Sequence, residues 1–283
     1  MKYNYNLYST TPVGGSTGRS NSSGKILVPA RVHDVILDDS HPEWVKLGKS
    51  EAIGAIKYAV LSKNTNTEDT TILPVAFPLV NDFKKIPLKN EIVLLIQAPS
   101  FDIGSSKLNK KIYYTSVINL WNHPNHGGYP ETGTEFELGD NIEELTDVNP
   151  LQPFPGDIIM DGRQGQSLRF GGFPSSKNIL TDSTNNGKPI TILSNGQKQA
   201  DNSFEPIIED VNDDDSSIYL TSDHKVPLEQ AVDFTEKGKD SYGFNPLPLK
   251  AKEYKGSQVI LNGGRLYFNA KEEGIFLNFS KLY

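Results

Sequence analysis

The sequence predicts an all-β protein: a small barrel of short strands, followed by a β-rich stalk that three copies of the chain complete. Three observations carry this. The 283 residues include 24 Gly and 18 Pro, with Asn, Asp and Ser crowded between short apolar runs, the composition of strands joined by turns. The first hundred ordered-looking residues hold five such runs and one short helical pattern. The chain then closes on "VILNGGRLYFNAKEEGIFLNF", which repeats an apolar triplet ended by Asn.

Residues 1–25 are polar and Gly/Ser-rich with no apolar segment. They read as a flexible or partner-ordered arm rather than a signal peptide. The first strand is "ILVPARVHDVIL" (26–37), where Val28, Ala30, Val32 and Val35 line one side and the alternation slips near His33. "DDSHPEWVKLG" suits a short helix capped by Asp39 or Ser40, with Pro42 in its first turn. "IGAIKYAVL" (53–61) is a second strand with a bend allowed at Gly54. "ILPVAFPLV" (72–80) is a third, and Pro74 and Pro78 confine it to an edge or force bends. "IVLLIQAP" (92–99) is nearly all apolar, as in a strand covered on both sides. "KKIYYTSVINLW" (110–121) is rich in β-branched and aromatic residues.

Five strands of this kind suit a closed barrel of the oligosaccharide/oligonucleotide-binding (OB-like) type, since closure removes exposed edges. A small sandwich satisfies the same pattern. The barrel domain is set at 26–174, with a long acidic loop at 122–150 and a hairpin about the turn at 161–165. Two glycines after Phe170 point to a backbone packed close to another chain. Residues 175–283 form a hairpin-rich region ending in the short trimeric stalk.

Chemistry finds little footing. The chain has no cysteine, hence no disulfide or thiolate metal site. The net charge of −7 and the lack of a basic stripe argue against nucleic-acid binding. His123 and His126 lie three apart without further ligands at diagnostic spacing. Asp213, Asp214 and Asp215 lack the calcium-loop pattern. Asp223-His224 has no serine in a matching context. Catalytic, cofactor and metal residues are therefore expected to be absent. Two other classes stay open: a glycan- or receptor-binding tail fibre using Trp44, Trp121 or Tyr129, and a polysaccharide-cleaving tailspike with paired carboxylates among Glu135, Glu137, Glu143 and Glu144.

The closing phrases carry the functional reading. They predict a ribbon of short strands with reversals at Asn262-Gly263-Gly264 and at 271–274, Leu266 and Phe268 sharing a side of one strand and Ile275, Leu277 and Phe279 a side of the next, in one apolar row. With Val259 and Leu261 these are the candidate trimer-core residues. Five or six such groups left wet forgo on the order of 10 kcal/mol, comparable to the stability of a whole domain. Copies of the same ribbon around an axis supply the cover; an ordinary meander packed on the barrel is the alternative.

Several blocks, "PLVNDFKKIPLKNEIVLLIQAPS", "LQPFPGDIIMDGRQGQSLRFGG", "SSIYLTSD" and "VILNGGRLYFNAKEEGIFLNFSK" among them, resemble the baseplate hub and central-spike proteins of T4-like contractile-tailed phages. The resemblance runs over most of residues 28–283, and "GDIIMDGRQGQSLRFGG" is its most specific part. It implies a homotrimer in the virion baseplate, with the barrel against tail-tube or hub proteins, the stalk toward the host envelope, and a separate spike-tip protein on the apolar end. Where the best-known member of that group carries a lysozyme domain, this chain has only a polar stretch without that pattern, so muralytic activity is not implied.

Overall fold

The computed structural model describes residues 27–61, 69–80, 82–100, 109–118, 147–172, 180, 187–197, 205–231 and 249–278. The chain divides into two compact units, Met1–Ile118 and Asn119–Tyr283, and among the described residues every regular element longer than one turn is a strand.

The first unit is a closed five-stranded barrel built from β1 (Val28–Val35), β2 (Ile56–Val60), β3 (Val75–Pro78), β4 (Ile92–Ser100) and β5 (Asn109–Val117), in the order β1-β2-β3-β5-β4. Neighbours are antiparallel except β3 and β5, which run parallel. This architecture is compatible with an OB fold. The slip expected near His33 is a register shift between Val32 and Asp34 against β2. His33 sits at this irregularity and is buried. The interior holds Ala30, Val32, Ile56, Tyr58, Val93 and Tyr114. Gly54 adopts φ +82°, and its carbonyl accepts a 2.6 Å hydrogen bond from the Tyr114 hydroxyl, so the bend expected there also anchors β5.

Two local expectations are corrected. β3 is not an edge strand. It lies between β2 and β5, and its prolines are tolerated because Pro74 precedes the strand and Pro78 ends it. The segment after Asp38 is not an α-helix but a series of turns, with single 3-10 turns at Lys49–Ala52 and later at Thr70–Ile72. Asp38, rather than Asp39 or Ser40, accepts from the Ser40 amide and hydroxyl, and Gly48 at φ +99° breaks the run. That segment packs Trp44 and Leu47 onto Ile36, Ala52 and Ala55, and its Glu43 pairs with the buried Lys57 of β2.

The second unit is a five-stranded antiparallel meander of β6 (Ile158–Asp161), β7 (Ser167–Gly171), β8 (Ile190–Asn195), β9 (Ser216–Ser222) and β10 (Ser257–Gly263). The domain boundary set at 174 is thereby corrected. The β6–β7 hairpin pairs with β8, which places the unit boundary after Ile118. The two glycines after Phe170 are indeed crowded, but by their own chain. A side chain at Gly171 would meet Asp157, and one at Gly172 would meet the backbone of Gly187 and Lys188.

One face of the meander is covered by its own loops. Phe154, Val211, Val226 and Ala251 close over Ile190, Ile192, Tyr219 and Ile260. A parallel bridge between Leu151 and Ile207 ties two of the covering segments together.

Candidate functional site: an uncovered apolar face and tail

The register of the meander sorts its side chains into rows, because paired residues of adjacent strands point to the same side. On the side covered by loops, one row reads Ser167, Ser194, Ser217 and Asn262, and the next Arg169, Ile192, Tyr219 and Ile260. On the other side, one row reads Ile158, Phe170, Thr191, Leu220 and Val259. The next reads Met160, Leu168, Leu193, Ile218 and Leu261. The sheet departs from ordinary patterning: the covered face carries an arginine and several hydroxyls among its apolar core residues, and the face toward solvent is apolar at nine of these ten positions. Ile158 and Val259 are 62% and 70% exposed, and Phe170, Leu193, Leu220 and Leu261 stay between 42% and 48%. Polar residues border the rows, Asn195 and Ser216 at one end, Ser222 and Ser257 at the other.

Arg169 is the centre of a buried charge network on the covered face. Arg169, fully buried, donates from Nε to both Glu209 oxygens at 2.8 and 3.0 Å. Its Nη1 donates to Asp157 Oδ2 at 2.6 Å and to the Gln152 carbonyl at 3.1 Å. The Asn262 amide donates to the Val211 carbonyl. In the sequence, the alternation Ser167-Leu168-Arg169-Phe170 is the signal that Arg169 faces the same way as Ser167.

Asp214 sits at the edge of this network and accepts a 2.6 Å hydrogen bond from Ser194 Oγ. Burial pushes its carboxyl up to about 6, against the opposing pull of that hydrogen bond. Because the folded value lies above the ordinary one of 3.8, its contribution to stability is complete below pH 4 and is lost as pH rises through about 6. Asp214→Asn keeps an acceptor for Ser194 and cannot ionise. The variant should gain about 2 kcal/mol over the parent at pH 8 relative to their difference at pH 4. Urea unfolding of both chains at the two pH values and equal protein concentration checks this; parallel pH profiles would contradict it.

Of the predicted trimer-core residues, Val259 and Leu261 lie on the exposed face of β10. Leu266, Phe268, Ile275 and Leu277 lie in the following segment, every described residue of which is exposed. Phe279 is outside the described residues. The expected ribbon is corrected within the single chain: β10 runs straight through Asn262 and Gly263, and residues 264–278 form no strand. Gly263 pairs with Ser216, the first residue of β9, so the chain that continues straight has outrun that neighbour, and residues 264–278 do not return along the other edge of β10. Tyr267 and Phe276, the middle residues of the two apolar triplets, are 76% and 83% exposed.

The other sequence candidates divide. His123, His126, Trp121, Tyr129 and the glutamates from 135 to 144 lie outside the described residues. Trp44 is packed into a small core rather than displayed. Asp213 and Asp214 belong to a turn closed on the Asp210 carbonyl, and no cluster suited to a metal ion occurs among the described residues. His224 is fully buried, without a hydrogen-bond partner on either ring nitrogen, and burial keeps it below the ordinary imidazole range. That is a core histidine held neutral. Comparison of the chain with protein-family models, curated proteins and solved structures finds no match.

Proposed function

We propose that this chain is a non-enzymatic structural protein that assembles as a homotrimer and serves as the hub or central spike of a contractile phage tail baseplate. The observation that carries the assembly is the tail: residues 264–278 hold Leu266-Tyr267-Phe268 and Ile275-Phe276-Leu277, all exposed, with no ladder partner among the described residues of their own chain. Apolar side chains on both sides of such a segment gain by burial, and identical segments from two further copies supply that cover together with ladder partners for the backbone groups that become buried. Three-fold order, a place in the virion, contact with tail-tube or hub proteins, a spike-tip protein at the apolar end and approach to the host envelope rest on the sequence resemblance described above. In that role the barrel docks and the tail transmits axial force, so neither a cofactor nor a catalytic group is required.

The direct test is the solution mass of the full chain by light scattering and native mass spectrometry at micromolar concentration. A value three times the 31.3 kDa of one chain is expected. A monomer at all concentrations would remove the proposal.

A further inference from the structure

We infer that the solvent-facing side of the β6–β10 meander is itself an interface between copies of this chain, so that the contact between copies extends from the tail onto the sheet. The inference rests on the trimeric reading above and adds a second surface to it. The face carries no charged side chain in its two central rows and is bordered by serine and asparagine. At roughly 200 Å² for a fully exposed large apolar residue, the exposed fractions of its side chains amount to on the order of 750 Å². That exceeds the roughly 300–600 Å² of the largest apolar patch on a typical monomer, and it approaches the roughly 800 Å² that each partner contributes to a stable complex.

Two features select a second copy as the occupant. The absence of charge offers nothing to steer or orient a partner of different chemistry, whereas identical apolar faces are complementary to each other in character. The face is also continuous with the tail: Val259 and Leu261 belong to it, and the chain passes from Gly263 directly into the uncovered triplets. Copies joined through residues 264–278 hold their β10 strands close together. The effective concentration of one sheet face near another then reaches the millimolar range of a short tether.

The chain has no cysteine, so single thiols report on this face in the full-length protein. Leu193→Cys and Leu220→Cys lie in the central strands, and Lys252→Cys, in an exposed turn, is the control. In the assembled protein, maleimide should react at 193 and 220 at least a hundredfold more slowly than at 252, with the three rates converging in denaturant. The double variant Leu193→Glu/Leu220→Glu should raise the concentration at which the assembly dissociates at least tenfold. Amide-exchange protection of β8 and β9 should persist, since both positions already face outward. Rapid labelling in a protein that is still oligomeric overturns this inference and leaves the tail reading intact. Slow labelling combined with an undiminished mass of the glutamate variant assigns the cover to another segment of the same chain and also overturns it. A monomeric parent chain removes both readings.

Discussion

Replacing Arg169 with methionine is expected to unfold the second unit and leave the barrel folded. The guanidinium is fully buried and is held by Glu209 and Asp157 together with the Gln152 carbonyl. Methionine fills much of the volume but leaves two carboxylates facing each other without a cation. Removing one partner of a buried ion pair costs about 3–5 kcal/mol, and here two acids lose it at once. A domain of this size has about 5–15 kcal/mol in total. Amide exchange should therefore rise across Ile192, Tyr219 and Ile260 and stay slow at Val32 and Val93, which belong to the other unit. The triple variant Arg169→Met/Asp157→Asn/Glu209→Gln should recover more than half of the loss, because the uncompensated charge is the main penalty. A methionine variant within 1 kcal/mol of the parent in urea would show that the network contributes nothing of this kind.

The barrel was legible because its signals are local. The alternation in "VPARVHDV" breaks where the register shifts, Gly54 bends where only a turn former fits, and the β-branched run in β5 pairs on two sides. The unit boundary was not legible. The β6–β7 hairpin is fully specified by its own turn, and nothing within it says whether its next neighbour is a barrel strand or β8, some twenty residues later. The same limit hid most of the candidate interface. In "ITILSN" and "SSIYLTS" large apolar residues occur on both sides of the strand, so alternation does not say which side is covered. That is decided by the segments carrying Phe154 and Val211 and by Glu209, forty positions from Arg169. Only Val259 and Leu261 were named from sequence, since they sit in the closing repeat. The reversal expected at Asn262-Gly263-Gly264 does not occur in the single chain: a turn signal marks where a chain can reverse, but β10 runs on through Gly263 beside Ser216, and residues 264–278 do not return along its other edge.

Leu266→Asp combined with Phe268→Asp should abolish the trimer at any micromolar concentration. Both side chains are more than half exposed in the single chain, so neither contributes much to the fold of one copy, and the variant should remain folded. In the assembly each position occurs three times. Six apolar groups at about 1.5–3 kcal/mol each give on the order of 10 kcal/mol of burial. The replacing carboxylates add several kcal/mol of desolvation per charge and repel one another about the axis. At 1.4 kcal/mol for each factor of ten, the association constant should fall by at least about seven orders of magnitude. Sedimentation velocity would then show a single species of one-chain mass, with barrel amide protection unchanged. Leu266→Met with Phe268→Leu keeps the apolar surface and should remain trimeric, which separates loss of burial from loss of a particular shape. If the aspartate variant sediments as a trimer, the exposed triplets are not what joins the copies.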